Sequence, residues 1–162
     1  MTDKEMLIQR WDMEFRTTLR VLKAYPEDKL DLRPAEKLRT ARQLAWVICS
    51  DEMVFMGAIA GKIDFSQPQP PPPSTMKEIV SSYEKVHNQN VSRIQQMTPE
   101  QLTQTVKFPV GPRTMGDVPA MDLCWLTVFD AVHHRGQFSV YLRIAGGKLP
   151  SIYGPTADEP WN

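Results

Sequence analysis

Residues 116–147 read GDVPAMDLCWLTVFDAVHHRGQFSVYLRIAGG. Leu123, Trp125, Leu126, Phe129, Val132, Phe138 and Leu142 mark the period of an α-helix with a wide apolar surface. The predicted helix runs from about Gly116 to Ala145, with Asp117 placed to cap its start and Gly146-Gly147 to stop it. Within it Asp130 and His134 stand four residues apart and share a face. A carboxylate and an imidazole at that spacing are partial ligands for a divalent ion such as Ni, Zn or Fe. The pair also reads as a hydrogen-bonded polar couple at the edge of a core, since two ligands alone do not make a site. His133 points about 100° away and reads as a surface or interface residue.

Working outward, three further segments carry helical periodicity. The first covers about Asp3 to Lys23, with Ile8, Trp11, Phe15, Leu19 and Leu22 as its apolar stripe and Pro26 beyond its end. The second covers about Thr40 to Ala60, with Leu44, Val47, Ile48, Asp51, Phe55 and Ala58 on one face. Thr40 and Gln43 form a capping box there, and Gly61 offers a left-handed end. The third covers about Thr75 to Met97, lined by Ile79, Tyr83, Val86, His87, Asn90, Ile94 and Met97, with Ser74 or Thr75 as its cap and Glu78 in reach of the capping-box position after Thr75.

The intervening segments break helices. Residues 62–74 contain Pro68, Pro70, Pro71, Pro72 and Pro73, a run that favours an extended, stiff connector. It is long enough to travel the length of a bundle, so a simple up-down-up-down order does not follow. Residues 98–115 read as a loop, with a short extended piece at Thr105–Val110. Residues 148–162 form a Pro-punctuated tail in which Tyr153 and Trp161 would bury sizeable area if they docked. Four long amphipathic helices imply an all-α four-helix bundle over a single domain, residues 1–162.

Composition narrows the function classes. The chain has 162 residues, 19 Lys+Arg and 19 Asp+Glu, and so no net charge. It lacks the positive field expected for binding nucleic acid or anionic lipid. No apolar run is long enough for a transmembrane helix, and the first residues lack a secretory layout, so a cytoplasmic location is expected. Cys49 and Cys124 lie in separate apolar stretches and read as buried free thiols. Glycine-rich phosphate loops, dinucleotide fingerprints, a nucleophile elbow and paired Cys-x-x-Cys motifs are all missing from the sequence.

Three strings are more specific than periodicity. They are His133-His-Arg-Gly-Gln137 with Phe138-Ser-Val-Tyr-Leu-Arg143, then Leu149-Pro-Ser-Ile-Tyr-Gly-Pro155, and, upstream, Leu32-Arg-Pro34 with Arg39-Thr-Ala-Arg-Gln-Leu-Ala-Trp46. Together they resemble the DinB/YfiT-like family of four-helix bundles over nearly the whole chain. The resemblance implies a divalent metal held by three histidines, one from the second helix and two from the last. Matched by motif, one of these is His134. The second-helix position is occupied by Val47, which has no lone pair, and the first of the last-helix pair is Asp130. Asp51, one turn beyond Val47 on the same face, is a candidate third ligand at a different height along the bundle.

The resemblance therefore implies a protein whose metal site is reduced or lost, with His134 as ligand or general base and Asp130 as co-ligand or orienting carboxylate. Such a site points to metal-dependent or thiol-linked transfer or hydrolysis. The competing class is a non-catalytic bundle that binds a small apolar ligand or a protein partner, which nine Met residues would suit. The resemblance further implies a homodimer. From the residues alone, Arg135 is expected to pair with a carboxylate or to cap chain ends at the bundle mouth, Gly136 to permit close helix approach, and His87 to lie at the core's edge or face the same cavity.

Overall fold

The computed structural model describes residues 1–68 and 70–161. Gln69 of the expected connector and Asn162 of the expected tail lie outside them. Four long helices dominate: α1 (Asp3–Lys23), α2 (Ala41–Ile59), α3 (Met76–Gln96) and α5 (Ala120–Ile144), with a short α4 (Pro99–Thr103) before an antiparallel hairpin. Thr2, Thr40, Thr75 and Thr98 each cap a helix through a complete capping box with Glu5, Gln43, Glu78 and Gln101. Each box gives partners to backbone N–H groups that the first turn leaves orphaned.

Cross-helix contacts fix the directions. Lys4 reaches the carbonyls of Gln95 and Met97 while Phe15 meets Tyr83, so α1 and α3 are antiparallel. Glu52 meets Asn90 and the Met56 carbonyl meets Arg93, so α2 and α3 run the same way. Glu14 pairs with Arg135 at one level, and Leu7 and Trp11 share a cluster with Cys124 and Val128 at another, so α1 and α5 also run together. The bundle is thus up-down-down-up, and the α2–α3 connection must travel its full length. A 19-residue α2 is about 28 Å long. Ten residues of extended chain span about the same distance, and the Pro70 carbonyl accepts a hydrogen bond from Trp46 Nε1 at 2.9 Å along the way.

The core divides by height. One cluster joins Phe15, Leu22, Leu44, Ile48, Tyr83 and Phe138, and a second joins Leu7, Trp11, Met56, Ile94 and Val128. Cys49 and Cys124 are buried, unpaired thiols whose pKa values burial pushes up to about 12. A third, smaller cluster is made where Phe108 of the hairpin packs on Phe55, Ala58 and Leu123.

That hairpin corrects the expected loop. β1 (Thr105–Gly111) pairs with β2 (Thr114–Pro119), and Lys107 and Asp117 face each other across it in a 2.8 Å ion pair. The extended piece at Thr105–Val110 is present, but its partner strand was obscured by Pro112, Gly116 and Pro119. Asp117 does not cap α5; Pro119 occupies the N-cap, and the helix begins at Ala120. A fixed proline φ suits a helix entry, and the missing N–H costs nothing there.

Two further corrections concern α5. Leu126 and Phe129 do not enter the core but remain 40% and 62% exposed. The helix is apolar nearly all round, so period alone does not choose the buried side, and Arg135 takes an interior position instead. Gly136 makes no close helix contact, since a Cβ there would meet nothing within 4 Å. The glycine that close packing requires is Gly147, where a Cβ would stand 2.2 Å from Leu142 Cδ1 and 3.1 Å from the Ala24 carbonyl. Gly146 before it takes the left-handed end of α5, with φ of 80°.

The tail from Lys148 is held by hydrogen bonds more than by aromatic burial. Glu159 accepts from Arg20 and from the Ser151 amide, and Asp158 accepts from the Leu149 amide. Tyr153 and Trp161 stay largely exposed, yet both are tied down: Arg135 donates to Tyr153 Oη, and Trp161 Nε1 donates to Ser151 Oγ.

Candidate metal centre

Asp51 on α2 and Asp130 and His134 on α5 each offer a ligand atom, and the three atoms lie within 4.8 Å of one another. Antiparallel packing of α2 on α5 brings Asp51, one helical turn beyond Val47, to the level of Asp130 and His134. His134 Nε2 is 3.6 Å from Asp51 Oδ2 and 3.5 Å from Asp130 Oδ1. Two ligands about 2.1 Å from one tetrahedral ion stand about 3.4 Å apart, so the imidazole and both carboxylates are already spaced for a shared cation. Asp130 Oδ2 is buried with no hydrogen-bond partner, an acceptor whose geometry asks for a proton or a cation.

The imidazole is oriented from behind. Gln137 Oε1 accepts from His134 Nδ1 at 3.1 Å, and Gln137 Nε2 in turn donates to the exposed His133 at 3.0 Å. This network places the His134 proton on Nδ1 and turns the Nε2 lone pair toward the carboxylates. Burial pushes the Asp51 carboxyl up to about 8, helped by its hydrogen bond to Asp130 and by that group's charge, while Arg39 opposes the shift. Two acids this close cannot both ionise cheaply, and a divalent ion would relieve both at once.

Val47 is half-buried one turn before Asp51 and contributes no ligand. His87 does not join the group. It is buried on α3, stacked 3.7 Å from Phe15, with Glu52 at 3.4 Å and Asp12 at 3.8 Å. Arg135, the next residue after His134, turns to the other side of α5 and pairs with buried Glu14 at 2.7 Å, while also bonding Thr18. The expected carboxylate partner thus exists, but nothing in the local sequence identified it as Glu14, far away on α1. Gln137 was legible only as a neighbour of His133; its bond to His134 needed helical geometry at i, i+3.

A helical bundle carrying a carboxylate–carboxylate–histidine group between its second and last long helices defines a protein with a candidate divalent-metal site. The chain belongs to the DinB family, whose profile matches residues 1–161. The uncharacterised protein YrdA of Bacillus subtilis is 26% identical over 157 residues, which cover 94% of this chain and 89% of YrdA. A DinB-like protein from Bacillus cereus superposes with a TM-score of 0.78 at 27% identity, covering 92% of this chain and 97% of that one. A second DinB-like structure, YjoA of Bacillus subtilis, shares the fold with a TM-score of 0.70 at 20% identity, over 87% of this chain and 92% of its own.

Proposed function

We propose that this chain is a divalent-metal protein whose ligands are Asp51, Asp130 and His134. The observation that carries the reading is the convergence of three ligand atoms within 4.8 Å, one of them an imidazole nitrogen aimed by Gln137. Asp51 stands in for the ligand that Val47 does not supply, and it does so one helical turn further along α2. A bound ion would supply Lewis acidity and lower the pKa of a water or thiol beside it, the chemistry used in hydrolysis or thiol-linked group transfer. The protein's own part is to turn His134 Nε2 toward the two carboxylates, to keep a proton between Asp51 and Asp130 until a cation replaces it, and to leave the remaining coordination positions free. Carboxylates make the group harder than three imidazoles, which shifts its preference toward Fe(II) and away from the softer Zn.

Elemental analysis of protein purified without chelator tests this reading. Stoichiometric metal that is lost in Asp51→Asn and His134→Ala but retained in His87→Ala supports it. No metal at any loading, together with a melting temperature unmoved by Zn, Ni or Fe, overturns it.

The expected homodimer is part of the same proposal. Leu126 and Phe129 form an exposed apolar patch on the first half of α5, and half-buried Trp125 stacks on Phe129 at 5.9 Å. A patch on one straight helix is self-complementary under two-fold symmetry, so a second copy is the occupant we assign. Sedimentation of Phe129→Glu against the unaltered chain tests it: the variant should be monomeric, and identical mass for both would refute the patch.

A further inference from the structure

We propose that a cleft sharing Gln137 with the metal centre binds the carboxylate of a small molecule with a short apolar body. The cleft measures about 300 Å³ and lies between the segment before α2 and the second half of α5. Lys37 and Arg39 supply its charge, while Leu38, Leu44, Val140 and Tyr141 supply its apolar walls. Neither Lys37 nor Arg39 holds an ion pair among the described residues, whereas nearby Arg42 is committed to Asp31. Glu36 is the acid in the same segment, leaving an excess of positive charge with Arg33 included.

The cationic end is built rather than loose. Tyr141 Oη donates to the Arg39 carbonyl at 2.9 Å, and the Ala41 and Arg42 amides donate back to the Leu32 and Leu30 carbonyls. The backbone under Arg39 is thereby pinned to α5, and its guanidinium is left available. A guanidinium offers the planar two-point donor set that matches a carboxylate.

Gln137 joins the cleft to the triad, since it lines the cleft and is also the residue that orients His134. Arg39 and Lys37 attract an anionic head, and Leu38, Leu44, Val140 and Tyr141 take the apolar body.

The carboxylate site does not depend on the reading of the triad given above. The test titrates hexanoate and its neutral analogue hexanamide, by calorimetry or by amide chemical shifts, into chelator-treated protein and into nickel-loaded protein. Hexanoate should bind at least ~10-fold more tightly than hexanamide in both, the scale of a charge-assisted contact. Arg39→Gln with Lys37→Gln should erase the preference, and His134→Ala should keep it. Equal binding of the two probes, binding of neither, or a preference that survives in the double variant overturns the cleft. A preference seen only with nickel and lost in His134→Ala also overturns it, because hexanoate would then be ligating the ion. A preference that persists in a protein taking up no metal upholds the cleft and sinks the metal reading alone.

Discussion

Asp51→Asn should stabilise the metal-free protein at pH 9 and leave it nearly unchanged at pH 3.5. Asp51 and Asp130 have ligand oxygens within 4.8 Å of each other. Two unit charges at that distance repel by about 3.5 kcal/mol at an effective dielectric of about 20. The two side chains are 32% and 25% exposed, and water reduces the repulsion to about 1–2 kcal/mol. In a domain of this size about 1 kcal/mol moves the melting temperature by about 2–4 °C, so the variant should gain about 2–8 °C at pH 9. The sign follows from linkage. The folded protein raises the Asp51 pKa from 3.8 to about 8, so it holds that proton more tightly than the unfolded chain does. The stability this confers is complete below about pH 4 and is lost as pH rises through about 8. Below about pH 4 Asp51 carries its proton in the folded and unfolded chain alike, and an amide imitates it. At pH 9 the unaltered protein carries two facing charges and the variant one. Excess Zn or Ni should invert the order, because the amide is the poorer ligand. Scanning calorimetry at both pH values, after chelation and with metal, reads all three outcomes. A metal-free variant that melts at or below the unaltered protein at pH 9 would refute the account of two crowded acids.

Three further outcomes follow from the geometry. Gln137→Leu should leave the fold intact but weaken metal affinity by about 10–100-fold, because His134 loses the partner that sets its tautomer; competition with a chelating dye measures it. Arg135→Met leaves buried Glu14 without its counter-charge, with the Tyr153 hydroxyl still donating to it, and should cost about 3–5 kcal/mol in chemical denaturation, whereas Arg135→Met with Glu14→Leu should recover much of it. Trp46→Phe removes the donor to the Pro70 carbonyl and should cost about 0.5–1.5 kcal/mol, with increased proteolysis confined to the α2–α3 crossover.

Helix positions, caps and the four-helix class were legible in the chain because they rest on local chemistry. Thr40 with Gln43 and Thr75 with Glu78 cap as their spacing dictates, and Ile79, Tyr83, His87, Asn90 and Ile94 do line the buried face of α3. Asp130 and His134 share a site because four residues make one helical turn. What depended on contacts between distant segments was not legible. The second hairpin strand looks like a loop until β1 supplies its hydrogen bonds, and Asp117 looks like a helix cap until Lys107 faces it. Leu126 and Phe129 have the right period for a core, but α5 offers apolar groups on every side and only its neighbours choose which are covered. Asp51 had the correct face from its spacing to Val47; its height beside Asp130 and His134 was set by the antiparallel offset of α2 on α5, which no single helix encodes. Periodicity is a property of one segment, whereas a ligand set is a distance between two, and that distance exists only once the bundle has packed.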